Sequence, residues 1–450
     1  MARSIAKNIH ISTMRIEKSL FYQRILFIAF WIRAVWGFFA SDFLMVMKTV
    51  EPAVYLAFDA VIVALGVATM SRKRDIIYAA LFIGITYLTT CVSNKLGLMF
   101  YINGLRDFIA YLFLIPIANY FLSEPDRRER FIEEFDRHMF IFLVIQVPCV
   151  LFQFFMYGAG DMGGGSLGHW NSGFITTLIF AISFYLMKKR IDPERYIASL
   201  WKNKVLVLLL LPTQFNETKI SFIYFIMYFV LLLPMNKKLF MRLVLAIPAI
   251  GVLLWCVSIG YVISTGGTMG DTMSMDYYTE MYLMDSSGAS EAYAQSLIEE
   301  DTGEQEDVPR FTKIILLGDV NQEHPGHIMT GFGVGQFKGG TVAESSKFFK
   351  EYEWLLIGTI PYIFHVLIQI GIIGVVLMIA YFYNLFSAPH SGMKRDYNIQ
   401  FFFFLLFVML MFYNDAIRSA FMMLPITVII LESWREKNDD DITTETSAAL

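Results

Sequence analysis

Charged residues are scarce in this chain of 450 residues: only 17% are Asp, Glu, Lys or Arg, whereas a soluble domain carries about 25%. So few charges cannot cover a water-facing surface, which excludes a soluble globular enzyme. Cysteine is also rare. The three cysteines, Cys91, Cys149 and Cys256, lie far apart in apolar runs, so they form neither a disulfide framework nor a metal-ligand cluster. The net charge of −4 offers no electrostatic footprint for nucleic acid.

Apolar residues are abundant instead, at 56% of the chain with 42 Phe, 23 Tyr and 25 Met, which also excludes intrinsic disorder. They occur in runs of about 20 residues, the length that crosses a bilayer as a helix. The predicted fold class is therefore all-α: a polytopic integral membrane protein with about twelve transmembrane helices. The predicted spans are 21–40, 53–70, 76–92, 98–122, 139–157, 171–187, 205–215, 220–234, 243–263, 361–383, 400–413 and 419–433.

The distribution of Lys and Arg predicts the orientation, because these residues resist translocation across the membrane. Basic clusters occupy the N-terminus and every second loop: Arg3, Lys7, Arg15 and Lys18; Arg72 to Arg74; Arg127, Arg128 and Arg130; Lys188 to Arg190; Lys237 and Lys238; Lys394 and Arg395. The intervening loops 41–52, 93–97 and 158–170 carry at most one basic residue each. Both termini are therefore predicted in the cytoplasm, and the first span is interpreted as a retained anchor.

One predicted outer loop, residues 264–352, differs from the rest, with fifteen acidic residues against five basic ones. It includes a pattern typical of a membrane-surface helix (MSMDYYTEMYLM) and a short amphipathic helix that begins near Pro309 (PRFTKIILL). Loops of this length are usually functional, although a decorative insertion is an alternative. The predicted organisation is residues 1–263 with helices 1–9, the extracytoplasmic loop 264–352, residues 353–434 with helices 10–12, and an acidic cytoplasmic tail at 435–450.

Ionisable side chains inside the predicted spans concentrate in their outer halves, where such groups are costly and point to function. Arg33 and Asp59 both lie roughly 10 Å deep, so they can pair. The other outer-half groups are Arg106 and Asp107 in the fourth span, His365 and Gln369 on one face of the tenth, and Asp415 and Arg418 in the last outer turn. Plain structural ion pairs, or a satisfied core histidine in the case of His365, remain the alternative interpretation.

The seventh and eighth spans are short and meet at a polar break, Asn216-Glu217-Thr218-Lys219. The first of them rises only about 16 Å, against roughly 30 Å for the membrane core, so the junction is predicted to dip below the outer surface. Irregular backbone at that depth is tolerated only where protein or a water-filled cavity surrounds it. The break therefore predicts a sunken, charged depression that opens outward.

The outer-half cations Arg106, Lys219, Arg310 and Arg418 favour binding of a large anion, and lipid diphosphates are the obvious candidates. Transfer of a glycan from such a diphosphate requires cations for the leaving group and a base for the acceptor hydroxyl. His365, Glu353 and Glu217 are the candidate bases. The GxGxG string at 331–335 lacks a surrounding βαβ unit, so it is interpreted as a turn rather than a nucleotide site.

The layout and four strings resemble the bacterial O-antigen polymerase and O-antigen ligase superfamily. The strings lie between residues 158 and 385: a Gly-rich loop that ends in GHWN (Gly168 to Asn171), the break PTQFNETK, PRFTKIILL followed by TGFGVGQF, and HVLIQIGIIGVV from His365. The basic residue that follows a Thr at the family's break matches Lys219, and the family's Arg ahead of the glycine turn matches Arg310. The family's polar residue at the start of the next span matches His365, with Glu353 as the competing match.

The resemblance implies a metal-independent inverting glycosyltransferase without cofactors, which polymerises undecaprenyl diphosphate-linked repeat units outside the bacterial inner membrane. Lys219 and Arg310 would hold the diphosphate, His365 or Glu353 would activate the acceptor, and Asn171 would belong to the glycan-binding set. Val366 after the histidine, where ligase-like members commonly have Asn, favours a polymerase over a ligase. The implied partners are the lipid-linked glycan, the bilayer, a chain-length regulator and a flippase. A ligase and a lipid-linked glycan transporter are the alternatives, and an outer-facing sensor is disfavoured because no cytoplasmic output domain is visible.

Overall fold

Helices make up nearly all of the structure, a computed structural model that describes residues 2–44, 47–158, 162–169, 171–215, 220–233, 310–336, 347–356, 359–387 and 393–436. The helices are α1 (Ala2–Phe38), α2 (Met47–Thr69), α3 (Lys73–Tyr87), α4 (Leu98–Leu105), α5 (Ile109–Leu122), α6 (Pro125–Tyr157), α7 (Ser172–Lys188), α8 (Tyr196–Lys202), α9 (Lys204–Leu208), α10 (Pro212–Phe215), α11 (Ile220–Leu232), α12 (Arg310–Glu323), α13 (His327–Thr330), α14 (Lys347–Tyr352), α15 (Tyr362–Phe386), α16 (Tyr397–Tyr413) and α17 (Ala420–Glu432). The all-α prediction is confirmed, apart from one short antiparallel pair, β1 (Met393–Arg395) and β2 (Trp434–Glu436).

Five described segments are long and apolar enough to cross a membrane: Glu17–Phe43, Lys73–Ser93, Leu98–Leu122, Pro125–Tyr157 and Tyr362–Phe386. Six shorter apolar helices accompany them: Ala53–Thr69, Ser172–Lys188, Lys204–Phe215, Ile220–Leu232, Tyr397–Tyr413 and Ala420–Glu432. The apolar helices indicate a membrane protein. The predicted ninth span, most of the acidic loop and the C-terminal tail lie outside the described residues.

Helices α5, α7 and α17 form the centre of the bundle and are buried on nearly every side. Their sequences are apolar all round, as expected of a helix without a solvent-facing side. Helices α1 and α3 instead expose large apolar side chains such as Ile28 and Leu81, which suits contact with lipid. The interior helices therefore position the polar groups described below.

The two ends of the bundle differ. We call the end formed by Phe39–Phe43, Leu88–Ser93 and Ala416–Arg418 the upper end, and the end that carries β1 and β2 the lower end. Phe39–Phe43 and Leu88–Ser93 are π-helical extensions of α1 and α3, a geometry often found at functional sites. At the lower end, an Arg128 side chain from α6 donates to the carbonyl groups of Glu432 and Trp434, which ties α6 to the β2 strand.

Helix α6 begins fourteen residues before the predicted span, at Pro125. Proline suits the first turn of a helix because its missing N–H has no intrahelical partner there. The segment 126–137 is highly charged, so hydropathy alone excluded it from the span. Its Asp136 pairs with Lys189 at 2.6 Å, which shows that this charged extension packs at the lower end of α7.

Helix α15 is interrupted at Gly371, whose φ of +65° and ψ of −156° only glycine adopts readily. Because a kink breaks the regular helical ladder, nearby carbonyl groups become available to other donors. The Ile368 carbonyl accepts from the Phe332 N–H (2.9 Å) and the Gln369 carbonyl from the Gly333 N–H (3.0 Å). The kink thereby fixes the glycine turn 331–336 against α15.

Replacing Gly371 with Ala is expected to lower the free energy of unfolding by at least about 2 kcal/mol, because the backbone conformation is strained for any side chain. A Cβ there would also lie 2.6 Å from backbone atoms of Gly331, Ile328 and Met329. The matched control is Gly84→Ala in α3, where a Cβ meets nothing within 4 Å and helix propensity predicts a gain of about 0.5–1 kcal/mol. Thermal unfolding in detergent checks both, and equal effects would contradict the strain argument.

Candidate functional site

At a short break between α4 and α5, the neighbouring side chains of Arg106 and Asp107 contact different partners. Residues Arg106–Phe108 form a 3-10 turn. Arg106 donates to Asp59 on α2 through Nη2 (3.0 Å) and Nε (3.2 Å), and both side chains are half-buried. Asp107 is buried and faces α15 and the α16–α17 turn. The break therefore connects a peripheral ion pair with an interior one.

Asp107 is the centre of a group that we call the Asp107 cluster: Asp107, His365, Gln369, Asp415 and Arg418. Its carboxylate lies 3.4 Å from His365 Nε2 and 3.8 Å from Arg418 Nε. Arg418 also contacts Asp415 at 3.0 Å. Burial lowers the pKa of the Arg418 guanidinium, but Asp107 and Asp415 outweigh that effect and hold this pKa above its ordinary value. Arg418 is therefore charged, and two carboxylates offset its charge.

Gln369 and Asp107 both contact the His365 imidazole. The Gln369 Oε1 accepts from the Gly335 N–H at 3.0 Å, so its Nε2 faces His365 and lies 2.6 Å from the imidazole Nε2 and 3.2 Å from Nδ1. His365 is buried, with 8% of its side chain exposed. It lies between the glycine turn and Asp107, and its Nε2 contacts both the Gln369 amide and, at 3.4 Å, the Asp107 carboxylate.

Helix α12 brings two cations to the upper end. The Arg310 guanidinium lies 4.6 Å from the centroid of the Tyr413 ring, at the upper end of α16. Lys313, one turn further along α12, is fully buried and donates to the Thr359 carbonyl at 3.1 Å. The sequence analysis identified Arg310 and missed Lys313. Its spacing of three residues from Arg310, inside an apolar run, was the available signal.

A second polar group lies at the upper end, and we call it the Asp42 cluster: Ser41, Asp42, Gln153 and His169. The Asp42 carboxylate accepts from Ser41 Oγ (2.9 Å) and Gln153 Nε2 (2.8 Å), and its Oδ1 lies 2.8 Å from His169 Nδ1. Sequence reasoning missed this cluster, although His169 belongs to the GHWN string. Asp42 and His169 are 127 residues apart, so only the fold could reveal the pairing.

Asn171 holds the glycine-rich loop that carries His169. Its Nδ2 donates to the carbonyl groups of Leu167 (3.0 Å) and Gly168 (3.3 Å). Gly168 has φ of +86° and packs against Ser41 and the Gly37 backbone, so a side chain there has no room. The amide nitrogen of Asn171 thus stabilises the conformation of the loop. A role of Asn171 in glycan binding stays a prediction.

The remaining predicted residues have different outcomes. Glu217 and Lys219 lie outside the described residues, as does the side chain of Glu353, whose backbone belongs to a 3-10 turn at Glu353–Leu356. The predicted pairing partner of Asp59 was Arg33. In the structure Asp59 pairs with Arg106, and the Arg33 guanidinium lies 3.5 Å from the centroid of the Tyr55 ring.

Within the part of the chain that the structure describes, no group of three His, Cys, Asp or Glu side chains could hold a metal ion. The sequence matches no protein-family model, and a search of the curated proteins finds no match either.

The Arg106–Asp59 pair is expected to be structural, because each charge already has an opposite partner. Arg106→Gln alone should lower the free energy of unfolding by about 1–2 kcal/mol, since it leaves Asp59 half-buried without that partner. The double variant Arg106→Gln/Asp59→Asn should recover most of this loss, which a double-mutant cycle in detergent measures. A stable double variant that has lost activity would return Arg106 to the substrate-binding set.

Proposed function

We propose that this protein polymerises undecaprenyl diphosphate-linked oligosaccharide repeat units into a surface polysaccharide, such as O-antigen, capsule or exopolysaccharide. The observation that carries the proposal is the gathering of Asp107, His365, Arg418 and, through Tyr413, Arg310 at the upper end of a bundle of apolar helices. These residues come from four separated segments of the chain. Cations and titratable groups concentrated at one end of a membrane bundle suit an anionic headgroup at one leaflet.

The proposed membrane arrangement is that of a bacterial inner-membrane protein with twelve spans and both termini in the cytoplasm. The basic loops follow the lower ends of α2, α5, α7 and α15. Since such loops stay in the cytoplasm, the upper end would face outward, and so would the loop 264–352. The Asp107 and Asp42 clusters would then meet lipid-linked glycans at the outer leaflet.

In the proposed reaction, Arg310, Arg418 and Lys219 hold the donor diphosphate. A base takes the proton from a hydroxyl of the acceptor glycan, and the resulting oxygen attacks the anomeric carbon of the donor. The bond from that carbon to the diphosphate breaks, and undecaprenyl diphosphate leaves with the electron pair. Cations stabilise the charge that develops on the leaving group. Attack from the opposite face inverts the anomeric centre, and His365 and Glu353 are the bases that the sequence predicts.

A flippase is the alternative that a specific contact favours. Asp75 and Asn384 are buried together at the lower end, 3.4 Å apart, just beyond the inner ends of the predicted spans 76–92 and 361–383. Tyr78 lies one turn above Asp75 and donates to the Leu377 carbonyl. A transporter requires polar groups in both halves of the membrane, and Tyr78 supplies one in the inner half of the predicted span. The ligase alternative uses the same donor site with a different acceptor.

The test is reconstitution of the full chain in liposomes with lipid-linked oligosaccharide purified from a strain of the source organism that lacks the gene. In the presence of a chelator, we expect dimers and longer glycans by mass spectrometry and gel. Glycan transfer to an added lipid A–core acceptor without chain growth would instead identify a ligase. Translocation of a labelled substrate without any product would identify a flippase. Polysaccharide of normal length in the deletion strain would overturn the polymerase proposal.

A further inference from the structure

The Asp42 cluster has the geometry of a positioned base. Asp42 lies in the π-helical extension of α1, its side chain has no exposed surface, and three side chains contact the carboxylate. Gln153 from α6 contributes one of these and also exchanges hydrogen bonds with the backbone of Gly165. The carboxylate therefore has one fixed position, set by two helices and the glycine-rich loop.

The fixed carboxylate determines the tautomer of His169. Asp42 Oδ1 accepts from Nδ1 at 2.8 Å, so in the neutral imidazole Nδ1 carries the proton and Nε2 carries the lone pair. The side chain of His169 is 17% exposed, against 8% for His365. The other titratable groups near this pair are Tyr157, which interacts with the Asp42 carboxylate and whose ring centroid lies 5.6 Å from that of His169, and Cys149, which interacts electrostatically with Asp42.

The glycine-rich loop connects this pair with the cation site. His169 is four residues before Gly173, so the two Cα atoms are at most about 14 Å apart. A Cβ on Gly173 would lie 3.2 Å from Asn414 Nδ2 and 4.0 Å from Tyr413 Cε1. Tyr413 is the ring on which Arg310 stacks, and Asn414 precedes the Asp415–Arg418 turn. His169 thus lies within about 14 Å of a glycine that packs against Tyr413 and Asn414, the residues next to the proposed diphosphate site.

We propose that His169, positioned by Asp42, is the base that activates the acceptor hydroxyl, an inference that rests on the proposed function. The hydroxyl proton passes to Nε2 while its oxygen forms the new bond to the anomeric carbon and the diphosphate departs. Asp42 stabilises the imidazolium, which then releases its proton to water. His365, whose Nε2 lies between the Gln369 amide and the Asp107 carboxylate, holds the glycine turn and Asp107 in place.

The test uses the full chain in liposomes with the purified lipid-linked oligosaccharide described above. His169→Ala should lower the polymerisation rate by at least about 100-fold, as expected for loss of a general base. Binding of undecaprenyl diphosphate, measured as the rise in melting temperature, should remain as in the wild type. Added imidazole should restore part of the activity of His169→Ala, because it can occupy the vacated position. Asp42→Asn should lower kcat more than it raises KM.

His365→Ala and Glu353→Gln test the competing bases, and His138→Ala, which removes an imidazole that accepts from Trp31, is the matched control. Added imidazole should not raise the activity of any of these three variants. Wild-type activity in His169→Ala, or inactivity that imidazole does not reverse, overturns the assignment of His169 and leaves the polymerase proposal intact. Restoration of His365→Ala by imidazole gives the role to His365. A wild-type protein that forms no polymer overturns both proposals.

Discussion

Arg310→Ala is expected to reduce the rate of polymerisation by at least about 100-fold while the protein still accumulates in the membrane. Arg310 lies against the Tyr413 ring, which holds the planar guanidinium in one orientation at the upper end of the bundle. Loss of one preorganised group that stabilises developing charge typically costs 100-fold to 1,000-fold in rate. Polymer formed per unit of reconstituted protein measures the effect.

Three further variants give this prediction its controls. Arg310→Lys keeps the charge but loses the planar fork that fits a diphosphate, so we expect a loss of about tenfold. Tyr413→Phe keeps an aromatic face under Arg310 and should retain most of the activity. Gln322→Ala, at an exposed position of the same helix, should behave as the wild type. Full activity in Arg310→Ala would remove the residue from the donor site.

The helices could be predicted from the sequence because burial in lipid requires long apolar runs, and such runs are visible without knowledge of contacts. Helix breaks are harder to predict. The 3-10 turn at Arg106–Phe108 within the run 98–122 was not predicted, because contacts with other segments determine it. Arg106 contacts α2, whereas Asp107 contacts α15 and the α16–α17 turn. The pairing of β1 with β2 was also missed, because three-residue strands carry no detectable alternation.

For the site, the helix on which most of the charged groups lie was predictable and the direction around each helix was not. A rise of 1.5 Å per residue gives a predicted depth for Asp59 and Arg33, but it does not give their rotation about the helix axes. The structure turns Asp59 toward Arg106 and Arg33 toward Tyr55. The Asp42–His169 pair was missed because loop residues have no helical period from which a facing partner can be inferred.

The largest effect on stability is expected from Arg418→Leu. Asp107 is the more enclosed carboxylate of its cluster, with 9% of the side chain exposed, and Arg418 is its cationic partner at 3.8 Å. Removing one partner of a fully buried ion pair costs about 3–5 kcal/mol, and because 37% of the Arg418 side chain is exposed we expect a loss at the lower end of that range, about 3 kcal/mol. Unfolding of the purified protein in detergent, followed by temperature, measures the loss.

Adding a second substitution, Asp107→Asn, distinguishes an effect of Arg418→Leu on stability from an effect on catalysis. In the Arg418→Leu background it removes the uncompensated charge, so the double variant should regain most of the lost stability. If Arg418 contributes to diphosphate binding, the stable double variant remains inactive and binds undecaprenyl diphosphate more weakly than the wild type. A double variant that regains both stability and activity would make Arg418 a structural residue, and the donor site would then consist of Arg310 together with the cation predicted at Lys219. A double variant that stays unstable would show that packing at the α16–α17 turn, rather than charge, accounts for the loss.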